Sequence, residues 1–89
     1  MKAFDPERLS SLPGVGKSIE ADLIALGYRR PADLVGQDPE EMYERIQAMS
    51  GAKIDRCLLY VFRCAVYVAS TPEPEERLTK WWNWMDAKA

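Results

Sequence analysis

Near the start of the sequence, Leu12-Pro13-Gly14-Val15-Gly16-Lys17-Ser18 gathers residue types suited to capturing an anion. Pro13 fixes its own φ and ends an incoming helix. Gly14 and Gly16 supply backbone conformations that a side chain would block, and they let another molecule approach closely. Val15 between them points inward and pins the turn. A helix opening after Gly16 leaves its first amide N–H groups unpaired, and its dipole places positive potential at the same end. That is an anion site, with Lys17 as a cation and Ser18 as a hydroxyl donor at its mouth. The same turn also suits a protein contact, or a plain connection between helices.

Further along, Arg56, Tyr60, Arg63 and Tyr67 fall at i, i+4, i+7 and i+11 of a long helical stretch, opposite its apolar face. Arginine with exposed aromatics suits phosphate contact or stacking on bases. Set against this is a plainer reading, a partly solvated face whose arginines pair with carboxylates and whose tyrosines pack along the edges. Lys53 and Arg56 follow a second glycine turn and are candidates for a second phosphate. Near the carboxyl end, Leu78, Trp81, Trp82 and Met85 form one stripe, and Trp84 sits off it by about 60° at the helical step. Trp84 is therefore expected to be exposed and, with Arg63, is a candidate for partner contact.

The rest of the composition excludes more than it suggests. The 89 residues include no histidine, which removes the commonest general base and metal ligand together. Cys57 and Cys64 stand on one helix with Cα atoms roughly 10.5 Å apart, too far for a disulfide, and both read as small buried apolar groups. The acids gather in the first turns of helices, where they suit dipoles and solubility. Gly14-Val15-Gly16-Lys17-Ser18 falls short of a phosphate loop, since Ser11 stands where the first glycine is required and no strand precedes it. No catalytic set, metal site or cofactor motif emerges, and an enzyme is not expected. A net charge of −2 and a pI near 5.1 weigh against a strong nucleic-acid binder, although one local patch can still bind. Without a membrane-length apolar run or a leader-like amino terminus, a cytoplasmic protein is expected.

Helix signals then run in succession. Asp5-Pro6-Glu7 starts a helix carrying Leu9 and Leu12, and Pro13-Gly14 stops it. A second helix carries Ile19, Leu23 and Leu26 and ends at Gly27. A short turn of helix spans 31–35. Asp38-Pro39-Glu40 opens another helix, with Met42, Ile46 and Met49 at i, i+4 and i+7 and a break at Ser50-Gly51. From about residue 53 to 69 the pattern is a long, mostly buried helix, and a last helix is expected over about 74–85. The expectation is a single all-α domain over 1–89, a bundle of five to six short helices. Leu9, Leu12 and Gly14 map onto Ile46, Met49 and Gly51 at one constant offset. The pattern reads as a duplicated unit, about 5–27 and about 38–69, whose second copy has lost its proline and one glycine.

The segment from residue 9 to about 26 resembles the helix-hairpin-helix motif of DNA-binding proteins, an apolar residue, Pro-Gly, an apolar residue and Gly. The resemblance implies that hairpin amides around Pro13 to Ser18 hold a DNA phosphate without reading bases, and that a monovalent cation can sit against the hairpin carbonyls. Glu20 departs from the motif, which has a small residue there. The chain as a whole resembles small bacterial proteins of the pathogenicity-locus or mitomycin-resistance type. The resemblance rests on Leu12 to Ile19, Asp33-Leu34, Gln37-Asp38-Pro39-Glu40-Glu41, the run from Asp55 to Ala65, Thr71-Pro72-Glu73-Pro74 and Lys80-Trp81-Trp82-Asn83-Trp84. It implies the tandem hairpin fold and no established activity. Two functions are carried forward: a weak, non-sequence-specific DNA-binding module serving repair or processing, and an adaptor that docks on a protein through the hairpin or the Trp84 region.

Overall fold

The computed structural model describes residues 5–85, and these are all-helical, with no strand among them. Three α-helices carry the fold: α1 (Lys17–Ala25), α2 (Pro39–Ser50) and α3 (Cys57–Ser70). Four 3-10 turns accompany them, at Leu9–Ser11, Pro31–Leu34, Glu76–Thr79 and Trp81–Trp84. No helix among the described residues is long and apolar enough to cross a membrane.

Local chemistry explains where the helices start and stop. The Asp38 carboxylate accepts from the Glu40 amide at 2.9 Å and Pro39 occupies the first helical position, so α2 begins where the sequence expects. Gly51 ends it in the left-handed region, at φ 70°. Asp55 accepts from the Cys57 amide at 2.8 Å and holds the chain in a turn until Cys57, so α3 starts later than the apolar pattern suggests. Once begun, α3 becomes the axis of the molecule. Phe62, Cys64, Ala65 and Val68 are fully buried, and α2, the Pro31–Leu34 turn and both carboxyl-terminal turns pack against it. Leu9, Leu12, Leu23, Leu34 and Met42 complete the core; burying each such side chain stabilises the fold by about 1.5–3 kcal/mol.

Two expected helices are 3-10 turns instead. Around Leu9–Ser11 the Ser11 hydroxyl bonds the carbonyls of Asp5 and Arg8, and the Asp5 carboxylate takes the Glu7 amide. The Ser11 bonds take carbonyls that an α-helix would need, although the Asp5 contact is the same cap that starts α2; Leu9 and Leu12 are nonetheless buried as expected. In the carboxyl segment Thr79 donates to the Glu76 carbonyl, Asn83 to that of Arg77 and the Trp84 indole to that of Leu78. The chain breaks at Lys80, at φ −102° and ψ 117°. Two smaller departures follow from position. Met49 is exposed because the last turn of α2 runs past the core, and Cys57 is exposed because it is the first residue of α3.

Candidate nucleic-acid interface

The first hairpin joins the Leu9–Ser11 turn to α1. The Val15 amide donates to the Leu12 carbonyl at 3.1 Å, closing the turn, and Val15 is buried beneath it. Pro13 is half-buried, while Gly14, Gly16, Lys17 and Ser18 are exposed. The two glycines are there for different reasons. Gly14 has φ +80°, and a β-carbon on it would stand 3.1 Å from Cδ1 of Trp81 and 3.5 Å from Val61. Gly16 has an ordinary extended backbone, φ −93° and ψ −172°, and caps α1. No heavy atom lies within 4 Å of the place its β-carbon would take. Neither conformation nor internal packing calls for glycine at 16, and Gly16, Lys17 and Ser18 are all exposed where α1 begins. Lys17 stands at that opening, and the Gly16 carbonyl is occupied by the Glu20 amide at 2.8 Å.

The second turn is built differently. Gly51 is left-handed like Gly14, but a longer connection separates the turn from α3. Gln47 accepts from the Ile54 amide at 3.0 Å and the Tyr43 hydroxyl donates to the Ile54 carbonyl, which fix the connection. Lys53 and Arg56 are exposed there, and the Arg56 guanidinium lies 5.9 Å from the Tyr60 ring centre. Between the two turns runs an open groove of about 380 Å³, lined by Gly14, Ser18, Asp22, Asp55, Cys57 and Trp81 among others. Burial raises the Asp22 carboxyl above its ordinary range. Hydrogen bonds from the Cys57 amide and thiol lower Asp55, while that same carboxylate raises the thiol of Cys57. The Asp22 and Asp55 carboxylates make this groove, which Ser18 also lines, an unfavourable seat for a phosphate.

Arg63 and Trp84 hold the structure together. Arg63 donates to Glu40 from Nε at 2.9 Å and from Nη2 at 2.5 Å, and to the Trp84 carbonyl from Nη1 at 2.8 Å. Tyr60 is buried, not on a solvated face, and the Arg63 guanidinium lies 5.6 Å from its ring centre. Trp84 is half-buried, packs on Tyr67 at 5.3 Å between ring centres, and gives its indole N–H to Leu78. The exposed ring is Trp82, which the stripe expected to be buried; it is 53% exposed and meets Trp81 edge-on at 5.8 Å. The reason is geometric. A 3-10 turn advances about 120° per residue rather than 100°, and the break at Lys80 resets the face. Arg63 pairs with a carboxylate, as the plainer reading of its face has it; sequence reasoning missed that the partner is Glu40 and missed the Gly14–Trp81 contact, since both join distant segments and leave no local signal.

The geometry defines a class: a small all-helical protein presenting an exposed glycine turn at the start of a helix, with a carboxyl-terminal aromatic segment packed against that turn at Gly14. The chain belongs to the Cdd1, or pathogenicity locus, family, whose sequence profile matches residues 3–89. It is also 36% identical over 66 residues to the mitomycin resistance protein McrB of Streptomyces lavendulae. That match covers 74% of this chain and 63% of the relative, so the chain spans less than two thirds of that relative's length. No solved structure matches the chain.

Proposed function

We propose that this chain is a DNA-binding module that holds the phosphate backbone at the first hairpin without reading bases, in the service of DNA repair or processing. The observation that carries the reading is Gly16, a glycine whose backbone and surroundings would accept a larger residue. Its lack of a side chain leaves the first amides of α1 reachable, beside Lys17 and Ser18. The second turn supports a tandem arrangement. Gly14 and Gly51 match in the proposed duplication and both take positive φ, and Lys53 and Arg56 stand exposed where a second phosphate would lie. The longer path into α3 makes this second contact the weaker one. With one or two phosphates held, the logarithm of affinity falls with the logarithm of salt at a slope of about −1 to −2. The net charge of −2 favours a second reading, an adaptor docking on a protein partner through the hairpin or the Trp84 region.

The test is Gly16→Asp, with fluorescence anisotropy on a labelled duplex at low salt. Aspartate caps α1 as Asp38 caps α2, so the fold holds or gains a few tenths of a kcal/mol. The carboxylate meanwhile sits at the mouth of the anion site, and duplex affinity drops at least tenfold, as it does in Lys17→Glu. Duplex binding unchanged in both variants would exclude the hairpin, and no DNA binding by folded wild-type protein would select the adaptor.

A further inference from the structure

We infer that the segment 77–84 beside the hairpin is a stacking platform for an unpaired base, so that the preferred ligand is a DNA duplex carrying a single-stranded overhang. This rests on the hairpin's role as a phosphate clamp and names the substrate that role serves. Three observations carry it. Placement comes first. Trp81 lies against Gly14, with Cδ1 3.1 Å from the glycine's would-be β-carbon, and Trp82 meets Trp81 at 5.8 Å between ring centres. The Trp82 indole is thus one ring removed from the hairpin.

Exposure comes second. Trp81 and Trp84 are half-buried against the core, whereas Trp82 keeps 53% of its surface in water. It is also held in place, because the segment carrying it is tied down on both sides. Arg63 bonds the Trp84 carbonyl at 2.8 Å, and Asn83 bonds the Arg77 carbonyl at 2.7 Å. An indole presented on a fixed backbone loses little freedom when another ring stacks on it.

Charge comes third. Residues 77–84 read Arg-Leu-Thr-Lys-Trp-Trp-Asn-Trp, with two cations and no acid, in a chain of net charge −2. Lys80 is exposed, and Arg77 makes a long 3.7 Å contact with exposed Glu75, a pair that a phosphate readily replaces. Cations interleaved with an exposed aromatic are the arrangement that grips single strands, because every base offers a π-face. Inside a duplex the bases are paired and stacked on one another, so Trp82 finds its ring only where a strand runs on alone.

The experiment measures anisotropy with three labelled DNAs: a blunt duplex, the same duplex with a short single-stranded overhang, and that overhang made abasic. Wild type is expected to bind the overhang duplex about tenfold more tightly than the blunt one, with the abasic overhang close to blunt. Trp82→Ala should abolish the preference while leaving blunt-duplex affinity within about twofold, and Trp82→Phe should restore part of it. Lys17→Glu should weaken all three DNAs together. If blunt duplex binds through Lys17 but the overhang adds nothing, or adds as much in Trp82→Ala, the platform is overturned and the hairpin stands. If the abasic overhang binds as well as the intact one, the gain is phosphate alone and the platform again fails. If Lys17→Glu changes nothing, the hairpin reading falls and the inference falls with it.

Discussion

At position 14 a β-carbon would meet two obstacles together, a positive φ and the edge of Trp81. Gly14→Ala is therefore expected to cost about 1–3 kcal/mol, seen as a lower midpoint in urea unfolding. The need for glycine there was legible from Pro-Gly-Val-Gly; the partner that enforces it was not, because Trp81 comes from the other end of the chain. The cysteines divide in a similar way. Cys64 is buried as read, while Cys57 is exposed at the start of α3. The Asp55 carboxylate accepts from the Cys57 thiol and disfavours its anion, which holds the thiol above its ordinary range. A colorimetric disulfide reagent should thus modify one thiol in the native protein, slowly for an exposed cysteine. Asp55→Asn should speed that reaction while still capping the turn. Equal reaction rates for both thiols would contradict the structure.

At the scale of elements, the long carboxyl segment depends on one side chain. Arg63 ties α3 at once to Glu40 of α2 and to the Trp84 carbonyl. Arg63→Ala should cost about 1–2 kcal/mol, most of it from the Trp84 bond, since Glu40 is half in water. Tryptophan emission should shift to the red as the segment loosens; unchanged emission would mean the indoles hold it unaided. The elements themselves were legible to unequal degrees. α1 and α2 announce their ends with Gly27, Asp38-Pro39 and Gly51, and they stand where those signals lie. The first and last elements carry equally good amphipathic patterns but are 3-10 turns. What decides this is whether Ser11, Thr79, Asn83 and the Trp84 indole seize nearby carbonyls, a competition that periodicity does not register. The misplaced exposure of Trp82 and Trp84 descends from that one error of pitch.

For the molecule as a whole, the core converges on α3, and Cys64 lies at its centre. Burial pushes the Cys64 thiol up to about 11 from an ordinary 9.0. The neutral thiol is the form the fold favours, so its contribution is complete below about pH 9.0 and is lost as pH rises through about 11. Stability should fall over that window, and the fall should be shallower in Cys64→Ala, measured by urea unfolding at stepped pH; identical slopes would show that other groups govern it. The all-helical class was legible at this scale because capped, amphipathic segments follow one another with no period-2 run. The joining of hairpin to tail was not, since it depends on which surfaces remain uncovered after the helices have paired.

That joining also carries a cost. Neighbouring helices such as α2 and α3 meet after closing a short loop, whereas Gly14 and Trp81 must find each other across most of the chain, at greater entropic cost. The contact between hairpin and tail is therefore the costliest in chain entropy to form, and it closes onto a tail that Arg63 and Tyr67 already hold against α3. A ligand that gripped both hairpin and tail, as proposed, would hold together the two ends of the chain that are hardest to join.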